Sequence, residues 1–251
     1  MVEEGKLLYA ILRPHIYCGG LIFLKVLNMN SKNNLKKISV IAMLCALAYI
    51  CMFVFKFKVG FLTFDLKDAV LTVISFLYGP IYGVISSVLV ALLEFVTVSD
   101  TGVYGLIMNA LSSAVFTFVC GVIYKYRRTL FGAIMGSISA VFAMTAVMLV
   151  ANIFITPLYM GVARDEVAAM IPSLLLPFNL IKGVVNAAIT MIIYKPLTSA
   201  LKKVGLSSGS AKKTEIKKFI PIAIGALVLL LIAVLVILYM LNGEFQMFGK
   251  K

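Results

Sequence analysis

The chain is organised by long apolar runs that do not alternate with polar residues. About 20 apolar residues wound as a helix cross the hydrocarbon core of a bilayer. Inside hydrocarbon every backbone amide needs a partner within the protein, which leaves helices or a closed barrel. Barrel strands alternate apolar and polar residues, so runs of this kind are helices. Composition agrees. Hydrophobic residues make up 62% and charged residues 13% of the 251 residues, against about 25% charged in an ordinary soluble domain. An all-α integral membrane protein is expected.

The first span is expected at Ile38–Phe55, followed by a mixed loop, KFKVGFLTFDLK, from Lys56 to Lys67. The second run, Asp68–Tyr78, is short for a crossing and stops at Gly79-Pro80, because proline cannot continue the helical ladder. So short a run crosses only if tilted, or if neighbouring protein shields its ends. Further spans are expected at Ile81–Val98, Val103–Tyr124, Leu130–Ile155 and Ile171–Tyr194, with Thr156–Met170 as a loop before the last of these. Residues 29–204 thus form a six-span domain. A basic Ser/Gly linker follows at 205–218, then an additional apolar helix at 219–242, read as an anchor, and a short tail at 243–251. Residues 1–28 fit neither a span nor a secretory signal. They read as a disordered leader or as the product of a misassigned start codon, with Met29 opening the working protein.

The net charge of +13 would suggest nucleic acid in a soluble protein. Here the cations cluster between apolar runs, as the inner face of a membrane protein requires. Lys32, Lys36, Lys37, Lys125, Arg127, Arg128, Lys195, Lys202 and Lys203 outnumber Lys56, Lys58, Lys67 and Arg164 on the opposite face. The amino terminus is therefore expected in the cytoplasm, with the loops at Lys56–Lys67 and Thr156–Met170 outside. Cys18, Cys45, Cys51 and Cys120 show no metal-ligand spacing and read as small hydrophobes. No metal site is expected.

Catalysis has little support. The one histidine, His15, lies in the leader, and neither a nucleophile elbow nor a nucleotide-binding loop is present. Polar groups inside spans are the stronger signal, since lipid tolerates them poorly. They are Glu94, Asn109, Asn152, Asn179, Lys182 and Asn186. Asn179 and Lys182 are three residues apart and share a helix face. A carboxamide both donates and accepts, and an ammonium only donates. Together these groups suit the edge of a planar heterocycle; they equally suit hydrogen bonds between helices. Glu94 is open to three readings: a pair with Lys182, a proton or ion site, or a side chain reaching outward. The external loop mixes Phe57, Phe61 and Phe64 with Lys58, Asp65 and Lys67, the content of a lid over a ligand or of a segment packed on the bundle. Ala42 and Ala46 form a small-xxx-small pair in the first span, which permits close approach of another helix.

The segments FLTFDLKDAV (61–70), FLYGPIYGVISS (76–87), TGVYGLIMNALSS (101–113), NIFITPLYMG (152–161) and PFNLIKGVVNAAI (177–189) resemble the substrate-binding S components of energy-coupling factor (ECF) vitamin transporters. The match covers roughly Lys36–Val204 and is closest to the riboflavin-specific component. The resemblance implies a six-helix S-component bundle in a bacterial plasma membrane, with the 219–242 helix as an addition. It implies high-affinity capture of riboflavin from outside, and docking on a membrane coupling subunit driven by two ATP-binding subunits. The S component would then topple to release its ligand inside. No catalytic residue and no cofactor is implied, with riboflavin as the transported ligand. The ligand site would comprise Asn152, Asn179 and Lys182, with Asn109, under a lid contributing Phe61, Thr63, Phe64 and Asp65. Ala42 and Ala46 would face the coupling subunit. Outside this reading stand another vitamin or a flavin phosphate as ligand, a stand-alone secondary transporter, and a lipid-modifying enzyme.

Overall fold

The computed structural model describes residues 32–59, 61–98, 102–203, 220–221, 223–232 and 235. The expected leader (1–28), linker (205–218) and tail (243–251) lie outside the described residues. The helices and strands in order are α1 (Lys32–Val54), β1 (Phe57–Val59), β2 (Leu62–Phe64), α2 (Lys67–Tyr78), α3 (Pro80–Val98), α4 (Gly102–Tyr126), α5 (Leu130–Met160), α6 (Arg164–Ala169) and α7 (Leu176–Lys203). A π-turn at Ile171–Leu175 leads into α7. A further apolar helix, α8, occupies Ala223–Ile232. Five of the described helices are long and apolar enough to cross a membrane, and their outer faces suit lipid. Along α3, for example, Ile81, Ile85, Leu89, Leu92 and Val96 are all exposed.

The short second run is a helix of 12 residues, and every residue from Lys67 to Phe76 in it is buried. Its neighbours are α3, α4 and α7. A helix enclosed by protein on all sides need not match the thickness of a bilayer, so 12 residues suffice. The enclosure is tight because glycine permits it. A Cβ on Gly121 of α4 would overlap Ser75 Oγ, and one on Gly83 of α3 would stand 2.7 Å from Ser75 Cβ. The helix ends at Gly79, whose φ of 106° belongs to glycine. Pro80 then opens α3, where its missing amide costs nothing.

The architecture is α-helical as expected, and two of the connecting segments carry more structure than plain loops. The segment after α1 contains an antiparallel hairpin pairing Phe57 with Phe64, Lys58 with Thr63 and Val59 with Leu62. Strands of three residues are too short to show alternation in the sequence. The segment expected as a loop at Thr156–Met170 is also mostly helix. α5 runs through Pro157 to Met160 and closes on Gly161 at φ 69°. α6 follows after a short connection. A proline removes one amide from the ladder, which the last turn of a 31-residue helix tolerates.

Among the described residues, two clusters of the core bear on the site. One gathers Phe76, Phe116, Cys120, Tyr124, Met144, Met191 and Tyr194. The other lies under the hairpin and comprises Val59, Leu62, Phe64, Val167, Leu175, Phe178 and Val185. On α8, Ala226 is buried in the first cluster with Leu230 packed against it, while Ile224, Leu227, Val228 and Leu231 are exposed. On α1, Leu44, Ala48 and Met52 are buried, whereas Ala42, Met43, Ala46, Leu47 and Ile50 lie on the exposed face.

Candidate functional site

A cavity lies beneath the β1–β2 hairpin, between α4, α5 and α7. Six of the eight expected ligand residues line it: Phe61, Thr63, Asn109, Asn152, Asn179 and Lys182. Leu62, Gly105, Met108, Ser112, Met148, Tyr159 and Phe178 complete the wall, and none of them is among the expected residues. Methionine and aromatic residues occur throughout an apolar chain, so nothing in the sequence singles these out. Tyr159, expected in a loop, belongs to α5; it meets Phe61 edge-on at 6.4 Å and Tyr104 at 6.1 Å.

The other two expected residues, Phe64 and Asp65, do not line the cavity. Phe64 turns into the core, its ring 6.3 Å from that of Phe178 at 88°. Alternation along β2 explains this, because Thr63 and Phe64 must point to opposite faces. Asp65 is fully buried behind the cavity, accepting from Lys182 Nζ at 2.9 Å. It lies between β2 and α2. Burial acts to raise its carboxyl pKa, but the ammonium groups of Lys182 and Lys67 outweigh this and hold it at about 2. The partner missing from the Lys182 span is thus supplied by the hairpin.

Lys182 also donates to Thr63 O at 3.4 Å. Asn186, one turn further on, fixes this arrangement. Its Nδ2 donates to Asp65 O at 3.0 Å and its Oδ1 accepts from Ala69 N at 3.0 Å. Asn186 stands outside the expected site, and its place is as a support for the lid rather than part of the wall. Glu94 does not pair with Lys182. Lys67 donates to its Oε2 at 2.6 Å and Lys56 stands 3.3 Å from its Oε1. Lys56, Lys67 and Lys182 thus pair with two buried carboxylates, Glu94 and Asp65.

The cavity wall keeps hydrogen-bonding capacity that the protein does not use. Asn152 donates one amide proton to Met148 O at 2.7 Å and accepts from Thr156 Oγ1 at 2.9 Å, which leaves a second proton. Asn179 donates one proton to Leu175 O at 2.7 Å, which leaves a proton and the carbonyl oxygen. Ser112 Oγ is buried and has no partner among the described residues. Lys182 has three protons and two protein acceptors. Leaving such groups unmatched costs about 1–3 kcal/mol each, and their convergence on one cavity gives it the capacity to hold a polar ligand. The π-turn assists. Pro172 and Pro177 lack amide protons, and the irregular turn between them sets the rotation at which α7 presents Asn179. The cavity volume is about 60 Å³, on a measure by which one water needs roughly 10–15 Å³.

The family described as ECF transporter, substrate-specific component, matches residues 36–194. The chain is 31% identical over 186 residues to the riboflavin transporter RibU of Staphylococcus aureus (strain TCH60), covering 70% of this chain and 97% of that protein. It is 28% identical over 185 residues to RibU of Streptococcus thermophilus (strain ATCC BAA-250 / LMG 18311), covering 68% and 86%. It is 25% identical over 171 residues to the riboflavin transporter FmnP of Bacillus subtilis (strain 168), covering 63% and 90%. A solved structure described as the S component of a bacterial ECF transporter superposes with a TM-score of 0.57 at 31% identity, covering 66% of this chain and 98% of that one.

Proposed function

The chain belongs to the family of ECF-transporter substrate-specific components, a membrane transport component rather than an enzyme, and we propose that its ligand is riboflavin. The observation that carries this reading is the unused donor and acceptor capacity of Asn152, Asn179, Ser112 and Lys182 around a cavity whose other walls are Phe61, Met108, Met148, Tyr159 and Phe178. Riboflavin is uncharged, with a flat ring system edged by carbonyls and ring nitrogens and a hydroxylated tail. Apolar walls with a few convergent polar groups bind such molecules. The names of the relatives point the same way. A flavin phosphate is disfavoured, because Lys182, the cation in the wall, is already neutralised by Asp65.

In this reading the hairpin is a lid on the outer side. Asn109, Asn152, Asn179 and Lys182 contact the ligand with Phe61 and Thr63. Phe64 and Asp65 act behind them, one packing the lid and the other holding it. The amino terminus is cytoplasmic. Ala42 and Ala46, on the exposed face of α1, receive a membrane coupling subunit that works with two ATP-binding subunits. A stand-alone carrier using Glu94 for a proton is disfavoured by the two lysines that occupy its oxygens. The extra helix packs Ala226 on the bundle but supplies no side chain to the cavity wall. Titration of the purified protein with riboflavin, read by quenching of flavin fluorescence, tests the ligand. Saturable quenching is expected, with much weaker binding of the phosphate; colourless protein that does not quench the flavin overturns the assignment.

A further inference from the structure

The hairpin over the cavity is held at both roots by buried charge, and the two attachments meet on α3. At the front root, before β1, Lys56 Nζ lies 3.3 Å from Glu94 Oε1 and donates to Val98 O at 3.2 Å. At the rear root, after β2, Asp65 accepts from Lys182 at 2.9 Å and lies 3.5 Å from Lys67 Nζ. Lys67 in turn donates to Glu94 Oε2 at 2.6 Å. The groups form one series of alternating sign: Lys56, Glu94, Lys67, Asp65, Lys182. Of the five, Glu94 alone meets cations from both roots, and it does so from a helix that supplies no side chain to the cavity wall.

We propose that Glu94 is a positioning residue for ligand retention: its two carboxylate oxygens tie together the roots of the β1–β2 hairpin and so set how long the lid stays shut. A two-stranded hairpin of this size is not stable alone, so its seat depends on what fixes its ends. Glu94 fixes both, one oxygen to each. Neutralising it leaves Lys67 with Asp65 as its nearest acceptor and leaves Lys56 with Val98 O. Lys56 has a route to solvent, its side chain being 14% exposed, and its departure frees the front root. Lys67 is fully buried, and a buried cation deprived of a counter-charge favours rearrangement. Release is therefore affected more than entry, because the tie exists only in the closed lid.

The lid assignment needs no ligand to test, while its consequence for retention rests on the riboflavin reading. In the full chain in lipid nanodiscs, without ligand, Glu94→Gln raises hydrogen exchange of the amides in 57–64 about tenfold, as loss of one local tether predicts. Exchange in α4 and α5 stays at the wild-type level. Lys56→Met, the milder variant, acts in the same direction with a smaller effect and adds nothing on the Glu94→Gln background. With riboflavin, stopped-flow quenching shows a several-fold faster dissociation and an association rate within about twofold of wild type. Wild-type exchange in the hairpin overturns the inference. So does faster exchange spread through α2 to α5, which marks Glu94 as a general support of the fold. If the wild type does not bind riboflavin but the hairpin loosens as stated, the ligand assignment falls and the role of Glu94 stands. If riboflavin binds normally and the hairpin is unchanged, the role of Glu94 falls and the ligand assignment stands.

Discussion

The two ends of the helical domain both contain a cavity, and they differ in what the protein has left undone there. The cavity at the Gly79-Pro80 end, edged by Phe76, Tyr78, Tyr82, Tyr124, Lys125 and Arg128, is the larger, about 280 Å³ against about 60 Å³ under the hairpin. Its buried hydroxyls have protein partners, Ser75 Oγ donating to Thr117 O at 2.8 Å. The Tyr124 and Tyr194 hydroxyls share a hydrogen bond. The Phe76 ring packs between their rings at 4.4 and 5.5 Å. Under the hairpin the volume is small, but amide and hydroxyl groups remain unmatched. Volume shows where a molecule could fit. Unmatched polar groups show where the protein is incomplete without one.

The first way to break this comparison is to remove Asp65. Asp65→Ala leaves Lys182 and Lys67 facing each other without their shared acceptor, and loss of one partner of a buried pair costs about 3–5 kcal/mol. A large drop in thermal stability in detergent is expected, with riboflavin binding lost; stability within about 1 kcal/mol of wild type would show that the hairpin end is not held by charge. Asn179→Ala comes next, with riboflavin affinity weakened by about 1–3 kcal/mol and a melting temperature little changed. Calorimetric titration reads the first and differential scanning the second. At the other end, Tyr124→Phe removes one hydroxyl of a matched pair. It costs about 0.5–1.5 kcal/mol of stability and leaves flavin affinity alone; altered affinity would join the two ends that the comparison separates.

The smallest expected effect is that of pH. Asp65 is depressed to about 2 from an unfolded value near 3.9. A depressed carboxyl contributes stability that is complete above its unfolded pKa and is lost as pH falls through its folded pKa. The contribution of Asp65 to the lid attachment is therefore constant from about pH 5 to 8 and is lost only between about pH 4 and 2. Riboflavin titrations at about pH 5, 6, 7 and 8 should superimpose. A marked slope in that range would point to a titrating group other than Asp65.

Much of this was legible in the chain itself. The expected spans and the observed helices agree closely through α4, because continuous apolar runs ending in glycine, proline or basic clusters have one physical solution in lipid. The cavity residues Asn109, Asn152, Asn179 and Lys182 were visible for the same reason, as polar groups where hydrocarbon penalises them. What could not be read is pairing across distance. Lys182 meets Asp65 across 117 positions and Glu94 meets Lys67 across 27, and no local pattern encodes either contact. The hairpin also escaped notice, since its strands are too short to alternate visibly. Extension of α5 past Pro157 was missed because proline reads as a stop, although near a helix end it is not one.

The enclosure of α2 bears on how the protein is made. A 12-residue segment that begins with lysine and aspartate is a poor substrate for insertion by itself, since a crossing takes about 20 apolar residues. The Gly79-Pro80 turn joins it to α3, so the two enter as one unit. α2 then reaches its final setting only when α4 and α7 have been synthesised to wall it in. A nascent chain halted after α3 should leave the Lys67 end accessible to water-soluble reagents. The same chain extended beyond α7 should protect it.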